Sequence, residues 1–248
     1  MPGDGLIANP VEKNVAFVVY NLLQTELVHC RAAGMPPRFD ILSAWVSDVM
    51  FPSSAFGFDS NIISAFMDSQ SKKGTTVEIV RLLQRFGGRS RVVALDYFST
   101  ARNWKNPEVE DMHPTGRIEL CDWDLRELGV LIEFAKSGAE IYLHSNLHDK
   151  LILTTTGAYS GTSNYTKSGY YITNDSGTVA SLAPGSSPNY KRVHDLFEDR
   201  RISSDQQDQE SLIELANRLA FVRTSLVADY ETLAAEYARR HRPINTTA

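Results

Sequence analysis

LHDKLILT, at residues 147–154, joins two basic side chains to an apolar run of strand-forming residues. Side chains alternate between the two faces of a strand, so an extended conformation here places His148 and Lys150 on the same face. A second predicted strand at 158–162 leads into the turn Gly161-Thr162-Ser163-Asn164 and would return beside the first. The amide of Asn164 would then reach the same end of the sheet, where an imidazole, an ammonium and an amide together favour an anion.

These two segments resemble the motif of the phospholipase D superfamily, which is His-x-Lys, four residues, Asp, and then a Gly-Ser-x-Asn-type turn. His148-Asp149-Lys150 stands for the first part, and Gly161-Thr162-Ser163-Asn164 stands for the turn. The segments at 125–143 and 39–48 are similar to the helix, glycine and strands that accompany the motif in nuclease members. The resemblance spans residues 38 to 200 and implies a phospholipase D-like fold.

The sequence departs from the family pattern at two points. Thr155 stands where the motif has Asp, and the interval to the Asn turn is one residue shorter than the common form. Some restriction-endonuclease-like members use a carboxylate beyond the Asn turn instead, which by resemblance makes Asp175 the candidate. Asp175 is equally well interpreted as a turn residue beside Asn174 and Gly177.

The resemblance implies a role for each residue of the site. His148 would form a covalent phosphohistidine, and Asp175 would hold its imidazole in the reactive tautomer. Lys150, Ser163 and Asn164 would bind the nonbridging phosphate oxygens. The implied chemistry uses no cofactor and no metal, and the pair His144 and His148 lacks a third ligand at a recognised spacing.

The chain carries one complete motif, whereas the family mechanism uses two histidines. The other histidines have neither a Lys two positions later nor a matching Asn turn; they are His29, His113, His144, His194 and His241. Family members with one motif per chain share a single site between two chains, and the resemblance therefore predicts a homodimer.

The first functional hypothesis is a metal-independent phosphodiesterase, a nuclease with DNA favoured as substrate, acting in bacterial defence or restriction with partner proteins of such a system. Thr155 keeps open an alternative, a catalytically silent phospholipase D-like module for binding or assembly. A phospholipid or other small phosphodiester hydrolase is a third hypothesis, disfavoured because the sequence has no basic amphipathic helix.

Composition limits these alternatives. A chain of 248 residues with 42% hydrophobic and 22% charged residues is typical of a globular protein. The net charge of −5 argues against nonspecific coating of nucleic acid but is compatible with a local basic groove. Two cysteines and the absence of a targeting or membrane-spanning run favour a cytoplasmic location. The candidate groove residues are Arg85, Arg89, Arg91, Arg102, Lys105, Lys167, Lys191 and Arg192.

Alternating helix and strand patterns predict an α/β fold with a mixed, largely parallel central sheet flanked by helices. The predicted division is an N-terminal helix at 1–37, an α/β domain at 38–200 and a helical segment at 204–241, whose apolar stripe requires the domain or a second chain as partner. A long connection is expected at 99–122. Helices are predicted at 10–34, 61–68, 75–83, 124–137 and from 193, and strands at 39–46, 91–98, 140–143, 149–154, 158–162 and 178–182.

Overall fold

The computed structural model of the chain describes residues 5–8, 15–52, 73–96, 111–166, 176–181 and 187–241. It forms two compact units. The sheet unit comprises Met1–Asp96 and Val130–Gln209, and the helical unit comprises Tyr97–Gly129 and Glu210–Ala248.

The secondary-structure elements are numbered in chain order. The strands are β1 (Gly5–Ala8), β2 (Arg38–Ser43), β3 (Met50–Pro52), β4 (Lys73–Thr75), β5 (Arg89–Leu95), β6 (Glu140–His144), β7 (Leu151–Leu153), β8 (Gly157–Gly161), β9 (Ser176–Ser181) and β10 (Asp205–Gln207). The helices are α1 (Val15–Ala33), α2 (Thr76–Arg85), α3 (Pro114–Lys136), α4 (Pro188–Ile202), α5 (Gln209–Ala228) and α6 (Tyr230–Arg240).

Eight strands form one sheet in the order β1-β9-β8-β7-β2-β5-β6-β10, and β3 pairs with β4 separately. Pairing is parallel between β2 and β5 and between β5 and β6. The other neighbours in this sheet are antiparallel. The predicted α/β class and mixed sheet are confirmed, with parallel pairing confined to the central strands. Thr155 and Thr156 alone connect the paired ends of β7 and β8, and so short a connection allows only antiparallel strands.

Local signals in the sequence account for the first helices. Gly34, with a φ of 65°, adopts the left-handed conformation that ends α1. At the start of α2, the Thr75 hydroxyl accepts a hydrogen bond from the Glu78 backbone, while the Glu78 carboxylate accepts one from the Thr75 backbone. This capping box satisfies two donors that a helix N-terminus otherwise leaves without partners.

Two predicted boundaries are wrong. Helix α3 begins at Pro114, ten residues before the predicted start at 124, because a proline that breaks a helix interior has the φ that suits a first turn. Asp205–Gln207, predicted as helix, instead forms β10 against β6, where the edge of the sheet offers unpaired backbone groups. The helix predicted at 61–68 lies outside the described residues.

The core of the sheet unit lies between the sheet and α4. Strand β2 is buried along its whole length, so both of its faces are covered. Phe197 of α4 is fully buried and packs on side chains of five strands and on Leu147. The buried members of this cluster are Leu42, Val93, Tyr142, Leu147, Leu151, Leu153, Ala158 and Phe197.

A buried ion-pair network lies beside this core. Asp40 is fully buried and accepts hydrogen bonds from Arg38 and, at 3.1 and 2.7 Å, from Arg91. Arg91 also donates to Glu198 of α4 at 2.8 Å, and Glu198 accepts from Arg201 at 2.8 Å. Burial alone would raise the pKa of Glu198, but the hydrogen bonds from Arg91 and Arg201 outweigh it and lower that pKa to about 2. The carboxylate therefore stabilises the fold in its charged form.

We expect Glu198→Gln to lower the free energy of unfolding at pH 7 by on the order of 2 kcal/mol. Because the folded-state pKa is depressed, the contribution is complete above the ordinary pKa of 4.5 and is lost as the pH falls towards about 2. Urea titrations at several pH values should show the two proteins converging below pH 4.5. Asp195→Asn, in an exposed pair on the same helix, is the control and should change little. A difference independent of pH would contradict this account.

Candidate functional site

One edge of the sheet collects the polar ends of several strands. Strands β2, β5 and β6 are parallel, so their carboxyl ends share this edge. Strand β7 runs antiparallel to β2 and therefore begins there, and β8 runs antiparallel to β7 and ends there. Ser43, His144, Lys150 and the turn at 161–164 consequently lie at one edge, as the sequence predicts for the last two.

His148 and Lys150 are in direct contact at this edge. They precede β7, which starts at Leu151, so they are not inside the strand as predicted. The Lys150 ammonium donates to the backbone carbonyl of His148, and its Nζ lies 3.3 Å from His148 Nδ1. Lys150 is buried, whereas His148 is exposed. An accessible imidazole thus lies beside a partly dehydrated cation, whose attraction for an anion is stronger than it would be in bulk water.

Ser43, at the end of β2, fixes the turn that carries Asn164. Its Oγ accepts a hydrogen bond from the Tyr165 backbone at 2.8 Å, donates to the Trp45 carbonyl at 2.7 Å, and lies 3.4 Å from Asn164 Oδ1. This leaves the NH2 group of the Asn164 amide directed away from Ser43. The Ser163 hydroxyl is buried and has no hydrogen-bond partner within the described ranges, so it can still donate to a ligand oxygen.

Arg200 of α4 adds a second cation near this edge. It pairs with Asp149, the residue between His148 and Lys150, at 2.6 Å. Burial, and then the charge of Arg200, lower the pKa of the nearby His144. His144 Nδ1 accepts a hydrogen bond from the Asn146 backbone at 3.0 Å. A neutral His144 and an Arg-paired Asp149 therefore leave the net positive charge of this edge on Lys150.

Thr155, at the position of the motif Asp, lies at the opposite end of β7. The three residues of this strand separate it from Lys150 by on the order of 10 Å. Its backbone N–H and its hydroxyl both donate to Glu26 of α1, at 2.9 and 2.6 Å. Glu26 is fully buried. A carboxylate is thus present at this position, but it comes from the N-terminal helix, and the missing Asp removes no group from the edge that carries His148.

The other predicted site and groove residues have varied placements. Asp175 lies outside the described residues, as do Arg102, Lys105 and Lys167. Arg91 is buried in the ion-pair network, which makes its assignment to an exposed groove wrong. Lys191 is exposed but paired with Asp195. Exposed positions of the described groove candidates are Arg85, Arg89, Lys191 and Arg192.

Ser43, Arg200 and Glu26 are parts of this arrangement that the sequence analysis missed. Ser43 ends the first predicted strand, so the rule that polar residues after parallel strands share an edge was a usable signal. Glu26 and Arg200 lie on helices distant in the chain from their partners, and no local pattern connects them. In the part of the chain described, no group of three or more His, Cys, Asp or Glu side chains is arranged to hold a metal ion. None of the described helices is long and apolar enough to cross a membrane.

No protein-family model matches the sequence, and no curated protein is significantly similar to it. Solved structures do resemble it, among them members of the phospholipase D family. Nuc of Salmonella typhimurium, a phospholipase D family member, matches 84% of this chain and 99% of its own at 12% identity, with a TM-score of 0.47. NucT of Helicobacter pylori matches 82% of this chain and 98% of its own at 9% identity, with a TM-score of 0.44. Phosphatidylserine synthase of Haemophilus influenzae matches 92% of this chain and 47% of its own at 9% identity, with a TM-score of 0.47.

Proposed function

We propose that this protein is a metal-independent phosphodiesterase, and more narrowly a nuclease that favours DNA. The observation that carries the proposal is the contact between the exposed His148 and the buried Lys150, 3.3 Å apart, at the edge where the Asn164 turn also lies. The contact unites a nucleophile with a group that stabilises negative charge, which phosphoryl transfer without a metal requires.

The proposed reaction has two steps. The unprotonated ring nitrogen of His148 attacks phosphorus, a nitrogen–phosphorus bond forms, and the bond to the leaving oxygen breaks as that oxygen takes a proton from the same imidazole of a second chain. Water, deprotonated by that second imidazole, then attacks the phosphohistidine and releases His148. Lys150, Ser163 and Asn164 hold the nonbridging oxygens, and Asp175 orients the imidazole.

The position of Thr155 favours an enzyme over a catalytically silent module. Its hydroxyl donates to Glu26 in the hairpin at the far end of β7, so the departure from the motif leaves His148, Lys150 and Asn164 in place. Favouring DNA, and a role in defence or restriction with partner proteins, rest on the resemblance of the sequence to small nuclease members. The single motif supports a site shared by two chains.

The test is cleavage of supercoiled plasmid, single-stranded DNA and RNA by the full chain in excess EDTA. We expect EDTA-resistant cleavage of DNA that Lys150→Met lowers by about 10²- to 10³-fold, because removing one charge-stabilising donor costs roughly that much. Lys191→Met removes a surface cation outside the proposed site and should retain activity. The hydrolase assignment is refuted if no nucleic acid is cleaved and bis-p-nitrophenyl phosphate also remains intact. Cleavage of that small diester alone would favour a small phosphodiester hydrolase.

A further inference from the structure

The helical unit contains an open cavity of about 530 Å³ that the proposed reaction does not use. Such a volume is within the range of roughly 300–1,000 Å³ that is usual for small-molecule sites. One wall is apolar, and Phe221 on it is 74% exposed, so part of this wall is open to a ligand. The residues of the cavity that the argument uses are Arg117, Phe221, Leu226, Asp229, Leu233 and Glu236.

Arg117, on α3, is the unusual member of this lining. Its side chain belongs to a residue that is only 7% exposed, and its Nε has no hydrogen-bond partner. None of the ion pairs found within the described ranges includes it. Asp124 lies two turns further along the same helix and is also buried, yet its Oδ2 has no partner either, so the two charges do not satisfy each other.

A buried cation without a matching anion costs several kcal/mol, and a bound anion would remove that cost. The guanidinium offers a planar fork of donors that suits a carboxylate or another acidic group. The adjacent wall of Leu226 and Leu233 offers no polar partner and suits hydrocarbon. Asp229 and Glu236 also line the cavity, and their charges oppose the entry of polyanions such as a nucleic-acid backbone.

We propose that this cavity binds a small amphipathic monoanion, with its acidic group on Arg117 and its apolar body against Phe221, Leu226 and Leu233. The site is separate from the His148 edge and would be present whether or not the chain cleaves phosphodiesters. Binding would stabilise the helical unit, because a ligand that binds only the folded state shifts the unfolding equilibrium.

The test is isothermal titration calorimetry of octanoate and octan-1-ol, which share an apolar chain and differ in charge, against the full chain. We expect saturable 1:1 binding of octanoate and binding of the alcohol weaker by about tenfold or more. Arg117→Met should abolish this preference. Arg218→Met is the matched control, because Arg218 is 68% exposed on α5 and pairs with Glu214, and it should bind octanoate as the wild type does.

Arg117→Met should fold, since replacing an unpaired buried charge by an apolar side chain is neutral or stabilising, and circular dichroism checks this. If it does not fold, Leu233→Trp fills the cavity and should block octanoate binding by itself. Equal affinity for octanoate and octan-1-ol, or unchanged octanoate binding in a folded variant, would overturn the proposal. Sedimentation provides a further check, since octanoate that dissociates a dimer would assign the cavity to a second copy of the chain and overturn it as well.

Discussion

Replacing His148 with alanine is expected to lower phosphodiesterase activity by on the order of 10⁴-fold or more, the effect typical of removing a covalent nucleophile. The side chain is exposed and contacts Lys150, so the substitution should leave the stability of the fold nearly unchanged. His29→Ala is the control, because His29 is an exposed histidine on α1. The measurement is the initial rate of DNA cleavage in EDTA for the three proteins at equal concentration.

Mixing His148→Ala with wild-type protein tests whether two chains share the site. If each site needs two imidazoles, only the wild-type pair is active, and the rate falls with the square of the wild-type fraction. A 1:1 mixture that has been unfolded and refolded together should then keep about one quarter of the activity. Retention of about one half would mean that each chain acts alone. Sedimentation of the variant must show the same oligomeric state as the wild type.

Much of the sheet unit follows from the sequence because its signals are local. Apolar runs bounded by turns located the central strands, and Thr75 with Glu78 marked the start of α2. The edge that joins Lys150 to the Asn164 turn followed from the short hairpin between β7 and β8, since a tight connection fixes both strand direction and register. A parallel sheet from the same alternation was less well determined, because long crossovers and hairpins have similar apolar patterns.

The contacts that were missed join residues far apart in the chain. Ser43 lies 121 residues from Asn164, and Arg200 lies 51 from Asp149. Side chains paired at such separations depend on the packing of whole helices, which has no period in the sequence. The same limit applies to β10, whose three residues pair with β6 only because that edge is open. The placement of Thr155 away from His148 was likewise visible only in three dimensions.

Glu26→Ala is expected to cause the largest loss of stability, about 3–5 kcal/mol in the free energy of unfolding. Its Oε2 accepts from the backbone of Thr155 and Thr156, at 2.9 and 3.1 Å, and from both hydroxyls, at 2.6 and 3.2 Å. Its Oε1 accepts from the Arg38 backbone at 2.7 Å. Alanine leaves three N–H donors without this acceptor beneath a buried helix, and a buried donor left without a partner is costly.

Urea denaturation followed by circular dichroism measures this loss. Gln24→Ala is the matched control on the same helix, because the Gln24 side chain is half-buried and hydrogen-bonds only to Tyr20 among the partners seen; it should cost about 1 kcal/mol or less. A comparable loss in the two variants would mean that the Glu26 carboxylate has no special role at the hairpin.

A double-mutant cycle tests whether Glu26 replaces the carboxylate of the motif. Thr155→Asp in the wild-type chain places a second carboxylate beside Glu26 and should destabilise it, since two like charges at hydrogen-bond distance repel strongly. In the Glu26→Ala background the same substitution restores an acceptor beside the hairpin donors and should recover about 1–3 kcal/mol of the loss. Additive effects of the two substitutions would show that the carboxylates are not interchangeable. A favourable coupling would mean that a residue of α1 meets the structural need that the motif normally satisfies within its own strand, while the chemistry at His148 stays intact.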